Sequence, residues 1–211
     1  MTGYKKYFDA YCREHGLNLY LSFEMPAGYK TAKGTFDASS RTVFINAEGL
    51  DKEPEYERMF YLFHELRHAS QYLEPERFNE TINRSVQYII MFDGTCYKLV
   101  ENHYLKCKLE GSEGYFTSLY LGQPHEVDAN TFAYEQTRKI CGDSAGLKEL
   151  FDFWMPRQVI MNGTYDRIFS LIDEKTKGMT WFQGTKMPLS YQGKSGICYF
   201  LKSSKSSSKS V

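Results

Sequence analysis

Met59, Leu62, Leu66, Ala69 and Leu73 recur at steps of three and four, a spacing that predicts an amphipathic α-helix with one apolar stripe. Pro54 suits the first turn of that helix and Pro75 forbids its continuation beyond Glu74, so about five turns are expected. A second amphipathic helix is predicted over residues 3–15, with Tyr4, Tyr7, Phe8 and Tyr11 on one side and Gly16 as its stop. Leu17, Leu19, Leu21 and Phe23 then alternate with polar residues, the period of a strand. Residues 33–46 read as a hairpin that turns at Asp37 to Ser40 and has Thr42 to Asn46 as its second strand.

Further on, Ile82, Val86, Ile89 and Ile90 continue a helical stripe until Asp93-Gly94. Residues 95–121 fit a helix or a strand, and Tyr115 to Leu121 is a short apolar run. Pro124 opens another helix over His125 to Tyr134. Helices are expected over 147–154 and 165–175, with Asn162-Gly163 between them, and short strands around Trp181, Tyr191 and Tyr199. The pattern is that of an α+β domain, a small antiparallel sheet packed on helices.

The longest helix also carries chemistry. Phe63-His64-Glu65-Leu66-Arg67-His68-Ala69 contains H-E-x-x-H, and residues four apart on a helix share a face. His64 and His68 are therefore placed to offer two imidazole nitrogens to one Zn²⁺, with Glu65 beside them to hold the water that the metal activates. The apolar stripe lies opposite, so both histidines are expected to face away from the core that anchors the helix.

A third ligand is expected in the helix after Pro124, where Glu126 and Asp128 compete. They lie 200° apart on a helix, from the turn of 100° per residue, and only one can point inward. Glu126 shares its face with Asn130 and Ala133. A small alanine permits close approach of another helix, and Asn130 is positioned to hydrogen-bond the far nitrogen of a liganding histidine. Asp128 is expected among solvent-tolerant neighbours, so Glu126 is the expected ligand; His125 lies 100° off that face and is an outside candidate.

Charge narrows the function further. Lys plus Arg and Asp plus Glu are both 26, a formal net charge of zero, which gives no indication of a nucleic-acid or membrane-surface partner. No run of apolar residues is long enough to span a bilayer, and the first residues lack the apolar stretch of a signal peptide, so a cytoplasmic protein is expected. Cys12, Cys96, Cys107, Cys141 and Cys198 contain no Cys-x-x-Cys and are odd in number, which fits reduced, buried thiols. Residues 202–211, almost all Ser and Lys, cannot bury a core and are expected to be a disordered tail.

Taken together, the strand ending in Ile45-Asn46, the helix with His64-Glu65-Leu66-Arg67-His68 and the segment Glu126-x-x-Ala129-Asn130-x-Phe132-Ala133 resemble the ImmA/IrrE family of zinc metallopeptidases. The resemblance covers about residues 30–135. It implies a zincin-like domain over residues 1–201 in which His64, His68 and Glu126 bind zinc and Glu65 is the catalytic base. It also implies a protein or peptide substrate. Two departures stand out. The interval from His68 to Glu126 is longer than the family's usual one, so residues 76–121 are expected to be an insertion, and Arg67 stands where the family usually has Gly. By residue type alone, Tyr134, His125 and Tyr88 are candidates to stabilise the oxyanion of an amide hydrolysis. The rival readings are a catalytically silent, zinc-supported interaction module and a metal-free adaptor.

Overall fold

The computed structural model describes residues 2–179 except 102, 159 and 162. The strands expected around Trp181, Tyr191 and Tyr199 and the tail over 202–211 lie outside them. Helix α1 (Thr2–His15) ends at Gly16, whose φ of 66° is the left-handed conformation that glycine adopts without a Cβ penalty. Strands β1 (Tyr20–Ser22), β2 (Gly34–Asp37) and β3 (Thr42–Ile45) follow. The β2–β3 turn is built by Asp37, whose carboxylate accepts from the Ser39 amide at 2.9 Å, the Ser39 hydroxyl at 2.8 Å and the Ser40 hydroxyl at 2.7 Å. Asn46 ends β3 and caps α2 (Ala47–Leu50), and its amide also donates to the Lys30 and Ala32 carbonyls, pinning the preceding loop.

This first sheet has the order β1-β3-β2, and β1 runs parallel to β3 while β2 runs antiparallel to it. The expected antiparallel sheet is therefore mixed. The long loop between β1 and β2 lets the chain cross β3's position, which a tight hairpin would not.

The central helix, α3 (Glu55–Leu73), has Pro54 as its N-cap and stops before Pro75–Arg77, a single 3-10 turn. Its burial corrects the single-stripe expectation. Phe60, Tyr61 and Phe63 are buried along with Met59, Leu62, Leu66 and Ala69, so the helix is enclosed around most of its circumference. One side packs on α1 and the first sheet through Phe8, Tyr11, Phe36, Val43 and Ile45. Leu66 is fully buried there, which contributes about 1.5–3 kcal/mol. The other side, which holds the histidines, packs along α6 (Pro124–Cys141). Ala133 of α6 and Leu147 of α7 (Ala145–Trp154) close the same core.

Between α3 and α6 the chain forms α4 (Glu80–Ser85), a second sheet of β4 (Tyr88–Ile90), β5 (Thr95–Val100) and β6 (His103–Lys108), and α5 (Glu113–Leu121). The helical stripe expected through Ile90 stops at α4; Ile89 and Ile90 lie in a strand. Tyr88, Ile89 and Ile90 are all buried, and a short apolar run covered on both faces carries no period that separates strand from helix. This antiparallel sheet, ordered β4-β5-β6, has its own core of Tyr88, Ile90, Cys96, Cys107 and Phe116. The last described helix, α8 (Thr164–Thr176), completes it with Ile168, Phe169 and Ile172. Among the described residues no helix is long and apolar enough to cross a membrane.

Candidate metal centre

One helical turn on α3 brings His64 and His68 together, with their Nε2 atoms 2.9 Å apart and the rings perpendicular. Across from them, the first turn of α6 presents Glu126. Its Oε2 lies 3.6 Å from His64 Nε2 and 3.7 Å from His68 Nε2. The three side chains form the one group of metal-ligand type among the described residues, all of its donor atoms within 4.8 Å of one another. Zinc bonds of about 2.0–2.1 Å in tetrahedral array place ligand atoms about 3.3 Å apart, and the three separations bracket that value. The residues fit a zinc ion, with two neutral nitrogens and one carboxylate leaving a fourth position for water or substrate.

Two of the three side chains, His68 and Glu126, are held from behind. Gln71, one turn beyond His68, accepts from His68 Nδ1 at 2.8 Å, which fixes that ring with Nε2 toward the cluster. The Gln71 amide donates in turn to the His125 carbonyl and to Asp128 Oδ2, both at 2.8 Å. Asp128 takes a two-pronged ion pair from Arg67, at 2.7 and 3.0 Å, and the guanidinium lies between the rings of Phe78 and Phe132. Asp128 is thus not the solvent-facing residue expected; it ties α6 to α3 through Arg67. On the other side, Ser85 and His125 Nδ1 are 2.7 Å apart, and His125 Nε2 is 3.4 Å from Glu126 Oε1. His125 therefore orients Glu126 and leaves Oε2 for the two histidines. Asn130 donates to the Trp154 carbonyl at 3.1 Å, while its Oδ1 and His64 Nδ1 are both buried without a hydrogen-bond partner. Asn130 lies close enough to His64 to favour its protonated form.

The electrostatics are those of a cluster that prefers a cation at its centre. Burial, with the charge of His68, lowers the His64 pKa to about 3. Burial opposes charge on His68 too, but Glu126, Glu65 and the Gln71 hydrogen bond outweigh it and raise the value to about 9. Glu126 is likewise penalised by burial yet held well below the usual carboxylate range by His68 and His125.

Glu65 stays outside this ligand set. Its carboxyl is pushed up to about 8 by burial, reinforced by Glu126 and opposed by His68 and a hydrogen bond to the Phe36 backbone. It lies against the first residue of β2, where an added Cβ on Gly34 would sit 2.8 Å from Glu65 Cγ and 3.1 Å from Oε1. Gly34 is thus required by close approach, and a glycine within a strand is the signal that marks it. Gly34→Ala is expected to leave metal content unchanged while displacing Glu65, lowering any Glu65-dependent turnover about 10²-fold. Paired metal analysis and activity assay would check this, and unchanged turnover would show that Gly34 has no such role.

Two of the tyrosines expected near the centre are elsewhere. Tyr134 packs against Phe151 in the first core, and Tyr88 stacks on Phe169 and donates to Asp173 of α8. In their place stand Tyr120 and Tyr72. Burial raises the Tyr120 hydroxyl far above its ordinary value, and the carboxylates of Glu126 and Glu65 add to the shift. The Tyr72 hydroxyl, raised by burial, Tyr104 and Glu126, donates to the Val86 carbonyl at 3.2 Å. Tyr72 was legible in principle, two turns beyond Glu65 on one helix face. Tyr120 was not, since it lies in the last turn of α5 and is set beside the centre by Gln123, which bonds the Ile90 amide and Tyr88 carbonyl and thereby docks the second sheet. No family model matches the chain, and no curated protein or solved structure matches it either.

Proposed function

We propose that this chain is a zinc-dependent peptidase of zincin-like fold, related to the ImmA/IrrE family, acting on a protein or peptide in the cytoplasm. The observation that carries the reading is the division of labour at the centre: His64, His68 and Glu126 converge on one point, while a second acid, Glu65, lies beside them without joining the set. A purely structural zinc site takes four protein ligands and has no use for such an acid. Bound by these three residues, zinc would supply a Lewis acid that polarises a carbonyl and acidifies water.

The chain's own groups account for the rest. Glu65, its carboxyl raised to about 8 by burial, accepts a proton from the attacking water when ionised and returns it to the leaving amine. Gln71 and His125 keep one ligand atom of His68 and one of Glu126 pointed at the centre. Tyr120 provides a hydroxyl near both carboxylates, suited to donate a hydrogen bond to developing negative charge. The edge strand β2, which runs past Glu65, offers backbone groups to an extended peptide.

Metal analysis tests the reading directly. The purified protein is expected to carry about one zinc per chain. Zinc uptake by chelator-stripped protein is expected to release protons, because His68 must lose its proton to become a ligand. Its raised folded-state pKa of about 9 makes zinc affinity rise with pH below that value, by about tenfold per unit for each proton displaced. Protein that neither holds nor takes up zinc, or takes it up without proton release, would overturn the assignment.

A further inference from the structure

Cys96 on β5 and Cys107 on β6 are directly opposed residues of the antiparallel pair. Both are free thiols, buried together against Phe116 and the α8 residues Phe169 and Ile172. Opposed residues in such a pair have Cα atoms about 4.5–5.5 Å apart. That lies inside the range of about 4.4–6.8 Å over which a disulfide closes without moving the backbone. The Cys96 thiol donates to the Gly94 carbonyl at 3.6 Å. The metal centre makes no use of the two cysteines. They lie on the sheet face covered by α5 and α8, whereas Tyr97 and Tyr104 point from the opposite face.

We propose that Cys96 and Cys107 are a peroxide-oxidisable dithiol that closes reversibly into a cross-strand disulfide. The two residues are not equivalent. Cys96 is fully buried, while Cys107 retains 8% exposure and is the point of entry for a small oxidant. The neighbouring Cys96 holds the Cys107 thiol below its ordinary pKa, against the effect of burial and with help from Lys175. The Cys96 thiol is pushed up by the neighbouring Cys107 and by burial, so it stays protonated until the second step.

In the first step the Cys107 thiolate attacks one oxygen of hydrogen peroxide and the O–O bond breaks. This yields a sulfenic acid on Cys107 and hydroxide, which takes the proton released from the thiol. In the second step the Cys96 sulfur attacks the Cys107 sulfur, and the Cys96 proton leaves with the displaced hydroxyl as water. Two thiols and one peroxide give one disulfide and two waters. A dithiol reductant reverses the change by exchange.

The exposed Cys141 serves as an internal reference. Full-length protein would be treated with hydrogen peroxide, quenched, capped with an alkylating reagent and digested without reduction. A linked peptide pair containing Cys96 and Cys107 is expected by the time Cys141 is half oxidised, and dithiothreitol should return both to thiols. Cys96→Ser should leave a Cys107 sulfenic acid that dimedone traps, and Cys107→Ser should leave Cys96 unoxidised. If Cys141 oxidises fully while both residues remain thiols that alkylate only after unfolding, they are packing residues and the proposal fails. It also fails if the link forms equally fast in urea-unfolded chain, since the opposed geometry would then contribute nothing. Neither result bears on the zinc-peptidase reading.

Discussion

Glu65→Gln is expected to leave zinc content unchanged and to lower peptide hydrolysis by about 10²-fold or more. Glutamine keeps the size of the side chain and its capacity to accept from the Phe36 backbone, but it cannot take a proton. Glu65 lies outside the ligand cluster, so the metal loses nothing directly. The variant also removes a titrating acid from a buried site, which favours stability where the parent carboxylate would be charged. The measurement pairs zinc content with mass spectrometry of new termini in cellular proteins exposed to parent and variant. Termini made equally by both would remove Glu65 from the chemistry. If the parent, holding zinc, makes no termini that the variant lacks, a zinc-supported interaction module is the better description.

The second large effect separates the two acids of α6. Glu126→Ala deletes an oxygen that faces both histidines and is expected to yield protein without zinc. Asp128→Asn keeps an acceptor for the Gln71 amide and weakens the ion pair to Arg67, so it is expected to hold zinc with an affinity about 10–100-fold lower. The difference follows from what each carboxylate touches. Glu126 meets the centre itself, whereas Asp128 acts on His68 only through Gln71. Asparagine is chosen because alanine would strand Arg67, a partly buried guanidinium, without its partner. Zinc titration of both variants decides the matter. Equal loss in the two would mean that Asp128 is a ligand or that the network, rather than Glu126, determines affinity.

The variants also mark how far local rules reach. The phase of α6 did not separate its two acids as expected, for both meet α3, Glu126 at the histidines and Asp128 at Arg67 and Gln71. His64 and His68 are brought together by helical spacing alone, so these two positions are readable wherever α3 forms. The turn at Asp37 and the ends of α3 at Pro54 and Pro75 are equally local, set by side-chain hydrogen bonds and by proline sterics. Ile89 and Ile90 mark the limit. Their apolar run carried no period, and pairing with β5, a partner several residues away across a turn, made it a strand.

Asp128 likewise has no local signal of its role, because Arg67 meets it only once α3 and α6 pack together. The same holds for Gly34 against Glu65, and for Tyr120, which belongs to a part of the chain that Gln123 docks beside the centre. The amino-acid sequence by itself determined the helix that pairs two histidines, since that follows from a repeat of 3.6 residues within one element. Only the tertiary structure decided which acid of α6 faces the histidines, what holds the candidate ligands, where Glu65 lies and which tyrosines stand near. Those contacts join residues far apart in the chain, and packing between elements, rather than spacing within one, sets their distances.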